Sequence, residues 1–332
     1  MLTSNKPKQY LIVDLCAGIG GIRLGFEQTN RVSNVYSVEI DKYACKTYLE
    51  NFGEDPYGDI TLLDKSKILK LPDFDILCAG FPCQSFSIAG YKNGFSDTRG
   101  TLFFNIAQII KLKKPKAILL ENVKGLTFHD KGETLSTMLK ILKEELNYDV
   151  SWRILNSKDF GVPQNRERVY IVGFDRPSDF KFPNGTKRKK LQEIIDKKPV
   201  SSKYYISDTY LNTLMKHKQR HESRGNGFGF KILDPEGISN AIVVGGMGKE
   251  RNLIIDKRLT DMTPITNLKG EINKDYVRRL SPREWARLQG FPEKFKIPVS
   301  DTQAYKQFGN SVSVPVIKSI ARKIIKTLDQ HY

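Results

Sequence analysis

The chain is poor in residues that would tie it together covalently or through a metal. It has four cysteines in 332 residues, Cys16, Cys45, Cys78 and Cys83, and only four histidines. No two cysteines form a CxxC pair and none has a histidine at ligand spacing, which argues against a disulfide scaffold and a structural zinc site. Long hydrophobic runs are missing too. Nothing approaches the roughly 20 apolar residues of a membrane span, and no signal-peptide pattern opens the chain. A reduced, cytoplasmic protein is expected, with no metal and no membrane contact. Tandem repeats are absent. Acidic residues are scarce: 54 Lys plus Arg face 37 Asp plus Glu, a net charge of +17 with a pI near 9.5. That excess favours a polyanionic partner, most simply nucleic acid, over an ordinary basic surface.

What is present suits a folded protein with a large core and a second domain: 39% hydrophobic and 10% aromatic residues. Tyr10 to Cys16 reads as a hydrophobic strand. It runs into Ala17-Gly18-Ile19-Gly20-Gly21 and then a helix, an arrangement that gives a nucleotide-type ligand close access to backbone. A nicotinamide fingerprint needs GxGxxG, and Arg23 stands where the third glycine belongs, which argues against a dehydrogenase. The next strand, Asn34 to Val38, ends in Glu39, placed to accept hydrogen bonds from ribose hydroxyls. A helix is expected over 41–52. Asp59 beyond it either binds an adenine amino group or caps the next turn.

The stretch Gly80-Phe81-Pro82-Cys83-Gln84 follows a short buried strand, Phe74 to Ala79. A cysteine just past a strand's carboxyl end lies where open α/β sheets place their chemistry. Local context leaves two readings of Cys83, a nucleophile or a buried small hydrophobe. The polar, glycine-bearing segment 90–100 suggests a mobile lid. After a helix over 101–112, the strand Lys116 to Leu120 ends in Glu121, a candidate acid or hydrogen-bond donor. Residues 135–146 read as helical. Gln164-Asn165-Arg166-Glu167-Arg168 then leads into the strand Val169 to Gly173, and alternation sends both arginines to one face.

Strand–helix alternation up to residue 173 predicts an α/β fold with a doubly wound, mainly parallel sheet. Beyond it the composition shifts to loops and basic runs, including His217 to Arg224 and two glycine-rich loops. A small, irregular second domain with flexible basic loops is expected. Order returns at Ser281, where Glu284 completes a capping box and Pro282 fits the first helical position. Trp285 and Leu288 face the packing side of that helix. Asn310 and Ser311 precede a C-terminal helix over 316–328, where they either cap it or touch a ligand. The boundaries expected are 1–173 with 303–332 for the large domain and 174–302 for the small one.

The ordered blocks Asp14 to Gly21, Gly80 to Gln84, Glu121 to Val123, Gln164 to Arg168 and Gly309 to Val312 resemble those of bacterial DNA (cytosine-5)-methyltransferases. The resemblance covers nearly the whole chain. It implies an S-adenosylmethionine-dependent methyltransferase fold, S-adenosylmethionine as cofactor without a metal, and a cytosine flipped out of duplex DNA. It further implies Cys83 as the nucleophile that adds to carbon-6, making carbon-5 reactive. Glu121 would bind the ring nitrogen and exocyclic amine, and Arg168 the carbonyl oxygen, with Arg166 in support. Cys16, Gly18, Gly20, Gly21, Glu39, Ile40, Asp59, Ile60, Pro82, Asn310, Ser311 and Val312 would surround the cofactor. Gln84, Ser85, Ser87, Arg99, Lys249 and Arg251 would face DNA.

The family usually has Phe in place of Cys16 and commonly Trp in place of Ile40, so weaker stacking on the adenine is expected. The variable region, from Lys216 to Ser223 and from Ala241 to Asn252, resembles a branch that modifies the inner cytosine of CCGG. A monomer is implied, working on DNA in the bacterial cytoplasm, with a restriction endonuclease sharing its target. An RNA cytosine-5 methyltransferase and a catalytically silent DNA-binding relative are the rivals. The intact Cys83, Glu121 and Arg168 stand against the second, and Phe81 with the developed region after residue 174 against the first.

Overall fold

The computed structural model describes residues 8–82, 102–225, 229–245, 248–259 and 270–332. Cys83, Gln84, Ser85, Ser87, Arg99 and the expected lid lie outside them. Among the described residues the strands are β1 (Tyr10–Leu15), β2 (Val32–Val38), β3 (Ile76–Gly80), β4 (Ala117–Val123) and β5 (Asp149–Asn156). They continue with β6 (Gln164–Asn165), β7 (Glu167–Phe174), β8 (Ser239–Asn240), β9 (Leu253–Ile255) and β10 (Val277–Arg279). The α-helices are α1 (Gly21–Glu27), α2 (Lys42–Phe52), α3 (Lys65–Leu69), α4 (Leu102–Lys113) and α5 (Glu133–Lys140). After them come α6 (Asp208–Glu222), α7 (Pro282–Leu288), α8 (Asp301–Asn310) and α9 (Val314–His331).

Six strands form one sheet in the order β2-β1-β3-β4-β7-β5. The first four run parallel, whereas β7 is antiparallel to both β4 and β5. Strands β1, β3 and β4 are buried almost throughout, the pattern of strands covered on both faces, whereas β2 at the sheet edge is mostly half-buried. Strand order reverses between β1 and β3, and ligands of open α/β sheets bind in the crevice at such a switch point. Phe103, Ile106, Ala107 and Ile110 of α4 pack with Val13, Leu77, Ile118 and Leu120 in the main core. The apolar stripe of α9, from Val316 through Ile320 and Ile324 to Leu328, is buried. Helix α1 meets α9 at Gly25, where a Cβ would lie 2.6 Å from Ile317 Cβ.

Two compact units result: residues 1–156, 167–185 and 312–332, and residues 157–166 and 186–311. Segments 157–166 and 303–311 thus group with the second unit. Hydrogen bonds hold them there, from Gln164 Nε2 to Leu288 O and from Tyr305 Oη to Leu280 O. The second unit carries more regular structure than its basic loops suggest. Residues 208–222 form the helix α6, capped by Ser207, which buries only Leu211 and Leu214. Its core joins these two to Ile206, Phe230, Leu253 and Val277. The capping box at Ser281 and Glu284 forms as expected. Glu284 also receives two 2.8 Å bonds from the fully buried Arg278 guanidinium, whose Nε donates to Asp256 at 2.9 Å. Burial would push the Asp256 carboxyl up, but bonds from Arg258 and Arg278 outweigh it and hold the group at about 2.

Candidate active site

Three left-handed residues turn the chain from β1 into α1: Cys16 (φ 56°), Gly18 (φ 56°) and Gly20 (φ 79°). A side chain at Gly20 would lie 2.3 Å from the Phe52 ring, so glycine is required there by space as well as conformation. At Gly18 a Cβ would meet nothing within 4 Å, and the backbone faces open space. Glu39 braces this turn: Oε2 accepts from Gly18 N at 2.7 Å and Oε1 from Asp41 N at 2.8 Å. Each oxygen still has a second acceptor direction. Asp59 caps the next turn, Oδ1 accepting from Thr61 N and Oγ1. Ile60 is buried, whereas Ile40 is 62% exposed.

Beneath the turn Asp14 is wholly buried. Its Oδ2 accepts from Arg23 N at 3.2 Å, and its Oδ1 has no hydrogen-bond partner. Burial pushes the carboxyl up to about 8, against the lowering pull of Arg23. Burial, with Glu39, Asp14 and Asp59 adding to it, likewise pushes the Cys16 thiol up to about 12. The Cys16 thiol is therefore neutral and no nucleophile. Arg23 fills the place of a third glycine. Its guanidinium lies 4.4 Å from the Phe52 ring centroid and bonds Glu27, Glu54 and the Tyr48 hydroxyl.

Parallel pairing places Gly80 beside Glu121. A Cβ on Gly80 would be 3.5 Å from Glu121 Oε2, so the carboxylate flanks the strand that leads to Cys83. On its other side β7 brings Arg168 Nε to 3.3 Å from Glu121 Oε1, both side chains largely buried. Asn122 holds Phe81, two residues before Cys83 in the chain, its Nδ2 donating to Phe81 O at 2.9 Å while its Oδ1 accepts from Val123 N. That positioning role was open to the sequence only as the middle residue of the Glu121-Asn122-Val123 block. Pro82, exposed, is the last described residue before Cys83. Val312, buried, begins the last segment of this unit.

The other candidates belong to the second unit. Arg166, unlike Arg168, is there, and its guanidinium donates to the carbonyls of Ile242, Gly309 and Ser311. Asn310 ends α8 and Ser311 follows it. The Lys249 ammonium lies 4.8 Å from the Tyr305 ring centroid, whereas Arg251 is exposed. Arg251 stands between two anchored neighbours. Glu250 accepts from Arg279 at 2.8 Å, and Asn252 exchanges bonds with the Asn240 backbone. Arg251 lies in the turn between them, its carbonyl accepting from Asn240 Nδ2 at 3.0 Å.

Among the described residues no group of three or more His, Cys, Asp or Glu is placed to hold a metal ion, and no helix is long and apolar enough to cross a membrane. The solved structure of the Entamoeba histolytica methyltransferase EhMeth matches at TM-score 0.74 and 20% identity, over 97% of this chain and 99% of that one. The S. pombe Dnmt2 methyltransferase matches at 0.73 and 19%, over 98% and 100%. At such identities the likeness concerns the fold, the α/β fold of S-adenosylmethionine-dependent methyltransferases with an added smaller unit. In sequence, the chain is 55% identical to the type II methyltransferase M.HpaII of Haemophilus parainfluenzae, over 99% of this chain and 92% of that protein. It is 39% identical to M.HhaI of Haemophilus parahaemolyticus, over 96% and 94%. The family model described as C-5 cytosine-specific DNA methylase matches residues 10–326. The chain belongs to that family, the S-adenosylmethionine-dependent DNA cytosine-5 methyltransferases of restriction–modification systems.

Proposed function

We propose that this enzyme methylates the inner cytosine of CCGG in duplex DNA, beside a restriction endonuclease that shares the target. The Glu121–Arg168 pair supports the assignment of roles, because it flanks the end of β3, three residues before Cys83 in the chain. The target rests on the resemblance of the variable region to the branch that modifies CCGG, with 55% identity to M.HpaII over 99% of this chain beside it.

The residues at the glycine turn fit S-adenosylmethionine. Gly18 offers open backbone, Glu39 keeps acceptor directions for ribose hydroxyls, and the unpartnered Asp14 Oδ1 marks a buried polar position at the same turn. Bound there, the cofactor supplies an electrophilic methyl group. The Cys83 thiolate adds to carbon-6 of the flipped base, and Glu121 supports the ring nitrogen and exocyclic amine as electron density moves to carbon-5. Arg168, steered by Glu121, receives the carbonyl oxygen. Once carbon-5 carries the methyl group, a water molecule would take up its proton, which restores the double bond and expels Cys83 as the thiolate. Exposed Arg251 is the better placed guanine reader, since the Lys249 ammonium rests on Tyr305.

Cys16 and Ile40 put little aromatic surface on the adenine. Cys16→Phe is therefore expected to bind S-adenosylhomocysteine several-fold more tightly in calorimetry; unchanged or weaker binding refutes this. Bisulfite sequencing of plasmid from a methylation-free host tests the whole reading, with Cys83→Ser alongside. Protection of the inner cytosine at CCGG alone, lost in the variant, is expected. Protection at another motif overturns the target, and no protection from folded protein overturns the reading altogether.

A further inference from the structure

We infer that Arg166 is a positioning residue that couples the turn at Gly309–Ser311 to the segment leading into Arg251, so that cofactor and target recognition share one buried hub. The inference rests on the proposed placement of Asn310 and Ser311 at the cofactor and of Arg251 on DNA.

Arg166 is 2% exposed. Its Nη1 donates to Ile242 O at 2.8 Å, and its Nη2 to Gly309 O at 3.1 Å and Ser311 O at 2.7 Å. A planar guanidinium fork reaches carbonyls on two separate segments at once, a geometry that a lysine ammonium cannot reproduce. Two buried glutamines complete the hub. Gln164 Oε1 accepts from Ile242 N at 3.0 Å, while its Nε2 donates to Leu288 O at 2.9 Å and Gln289 Oε1 at 3.3 Å. Gln289 Nε2 donates to Phe308 O at 2.8 Å and Ser311 O at 3.1 Å. Ile242 is thus held through both its N–H and its carbonyl, and the Ser311 carbonyl receives two donors.

Close packing removes the remaining freedom. A Cβ on Gly309 would lie 2.6 Å from Val244 Cγ2 and 3.4 Å from Val244 N, so the turn sits directly against Val243–Val244. A shift of Gly309–Ser311 must either break buried hydrogen bonds or carry Ile242–Val244 with it. Close-packed contacts of this kind transmit displacement because they do not deform continuously. Two residues before Ile242, Asn240 Nδ2 donates to Arg251 O at 3.0 Å and the Asn240 backbone exchanges bonds with Asn252, which ties the held segment to Arg251. Binding at the turn and binding at Arg251 therefore stabilise the same arrangement, which makes each favour the other.

The test uses full-length protein and Arg166→Lys. Without DNA, calorimetry with S-adenosylhomocysteine is expected to show about tenfold weaker binding, within the usual range of coupling. Amide hydrogen exchange is expected to quicken together at Ile242–Gly245 and at Gly309–Ser311. The preference for CCGG over sites with one altered base should fall in the same variant. A residue that only touched the flipped base would leave DNA-free cofactor binding and exchange unchanged, and that result overturns the inference. Faster exchange in one segment alone also overturns it. Should Arg166→Lys not fold, Gln289→Leu removes two bonds to the turn and must loosen both segments through the retained Arg166. If the wild type methylates no cytosine, the functional reading fails, and the exchange data still decide the coupling.

Discussion

Glu121→Gln is expected to fold, bind DNA within a few-fold of the wild type, and lose about 10²–10⁴ in single-turnover methyl transfer. The substitution keeps the shape of the side chain and one carbonyl acceptor while deleting the charge. In the wild type that charge stands 3.3 Å from Arg168 Nε, in a pair only 10–14% exposed at the side chains. It therefore interacts more strongly than a surface pair would and fixes where the Arg168 fork points. The amide leaves Arg168 without its counter-charge and, on the proposed roles, leaves the flipped base without a titratable group to share a proton with its ring nitrogen. Both effects concern the reacting base more than the duplex, so the rate constant should fall much further than affinity. Glu121→Asp separates the two contributions. It keeps the charge but shortens the reach, and should recover part of the rate if the ion pair matters. A Glu121→Gln rate within about threefold of wild type would remove Glu121 from the mechanism. A thermal melt run alongside shows whether loss of the pair has unsettled β4 and β7.

The parallel half of the sheet was legible because its strands are short, apolar and separated by amphipathic helices. Asp14 to Gly21 and Glu39 were legible for the same reason, as a strand-end turn and an acidic residue ending the next strand. Strand β5 escaped the reading. It lies at the sheet edge and exposes much of its length, so its sequence shows little burial pattern. Helix α6 resembles a basic loop in sequence because it buries only two leucines beneath a polar surface rich in lysine, arginine and histidine. Arg166 and Arg168 looked alike in sequence, two arginines flanking a glutamate. What separates them is tertiary: one meets backbone carbonyls, the other a carboxylate on a neighbouring strand. Such partners, distant along the chain, leave no local signal. Gln289 and Asn122 stayed silent in the same way, since a buried amide announces itself only through the carbonyls it reaches.

Asp14→Asn should stabilise the ligand-free protein at pH 8 while changing it little near pH 4. The Asp14 carboxyl is fully buried, accepts one backbone hydrogen bond, and leaves Oδ1 without a partner. Burial raises it from 3.8 to about 8 in the folded chain. Because the folded value lies above the unfolded one, the folded state holds the extra proton between them. Stability from this group is therefore complete below about pH 4 and drains away as pH rises towards 8. Each unit of difference corresponds to about 1.4 kcal/mol, so the full loss is on the order of 5 kcal/mol. Asparagine matches the neutral acid in shape, can accept the same bond from Arg23 N, and does not titrate. Other groups titrate in both proteins, so the difference between variant and wild type isolates Asp14. Urea denaturation at pH 5 and pH 8 should show that difference widening several-fold in favour of Asp14→Asn. A constant difference, or a wild type that is the more stable at pH 8, would show that Oδ1 is solvated after all. The expected outcome makes physical sense of an otherwise costly residue. A buried carboxyl without a full set of partners, set under the turn that Glu39 braces, destabilises the fold at the proposed cofactor site. The same variant should accordingly bind S-adenosylhomocysteine more weakly as it gains stability, an opposition that a purely structural aspartate would not produce.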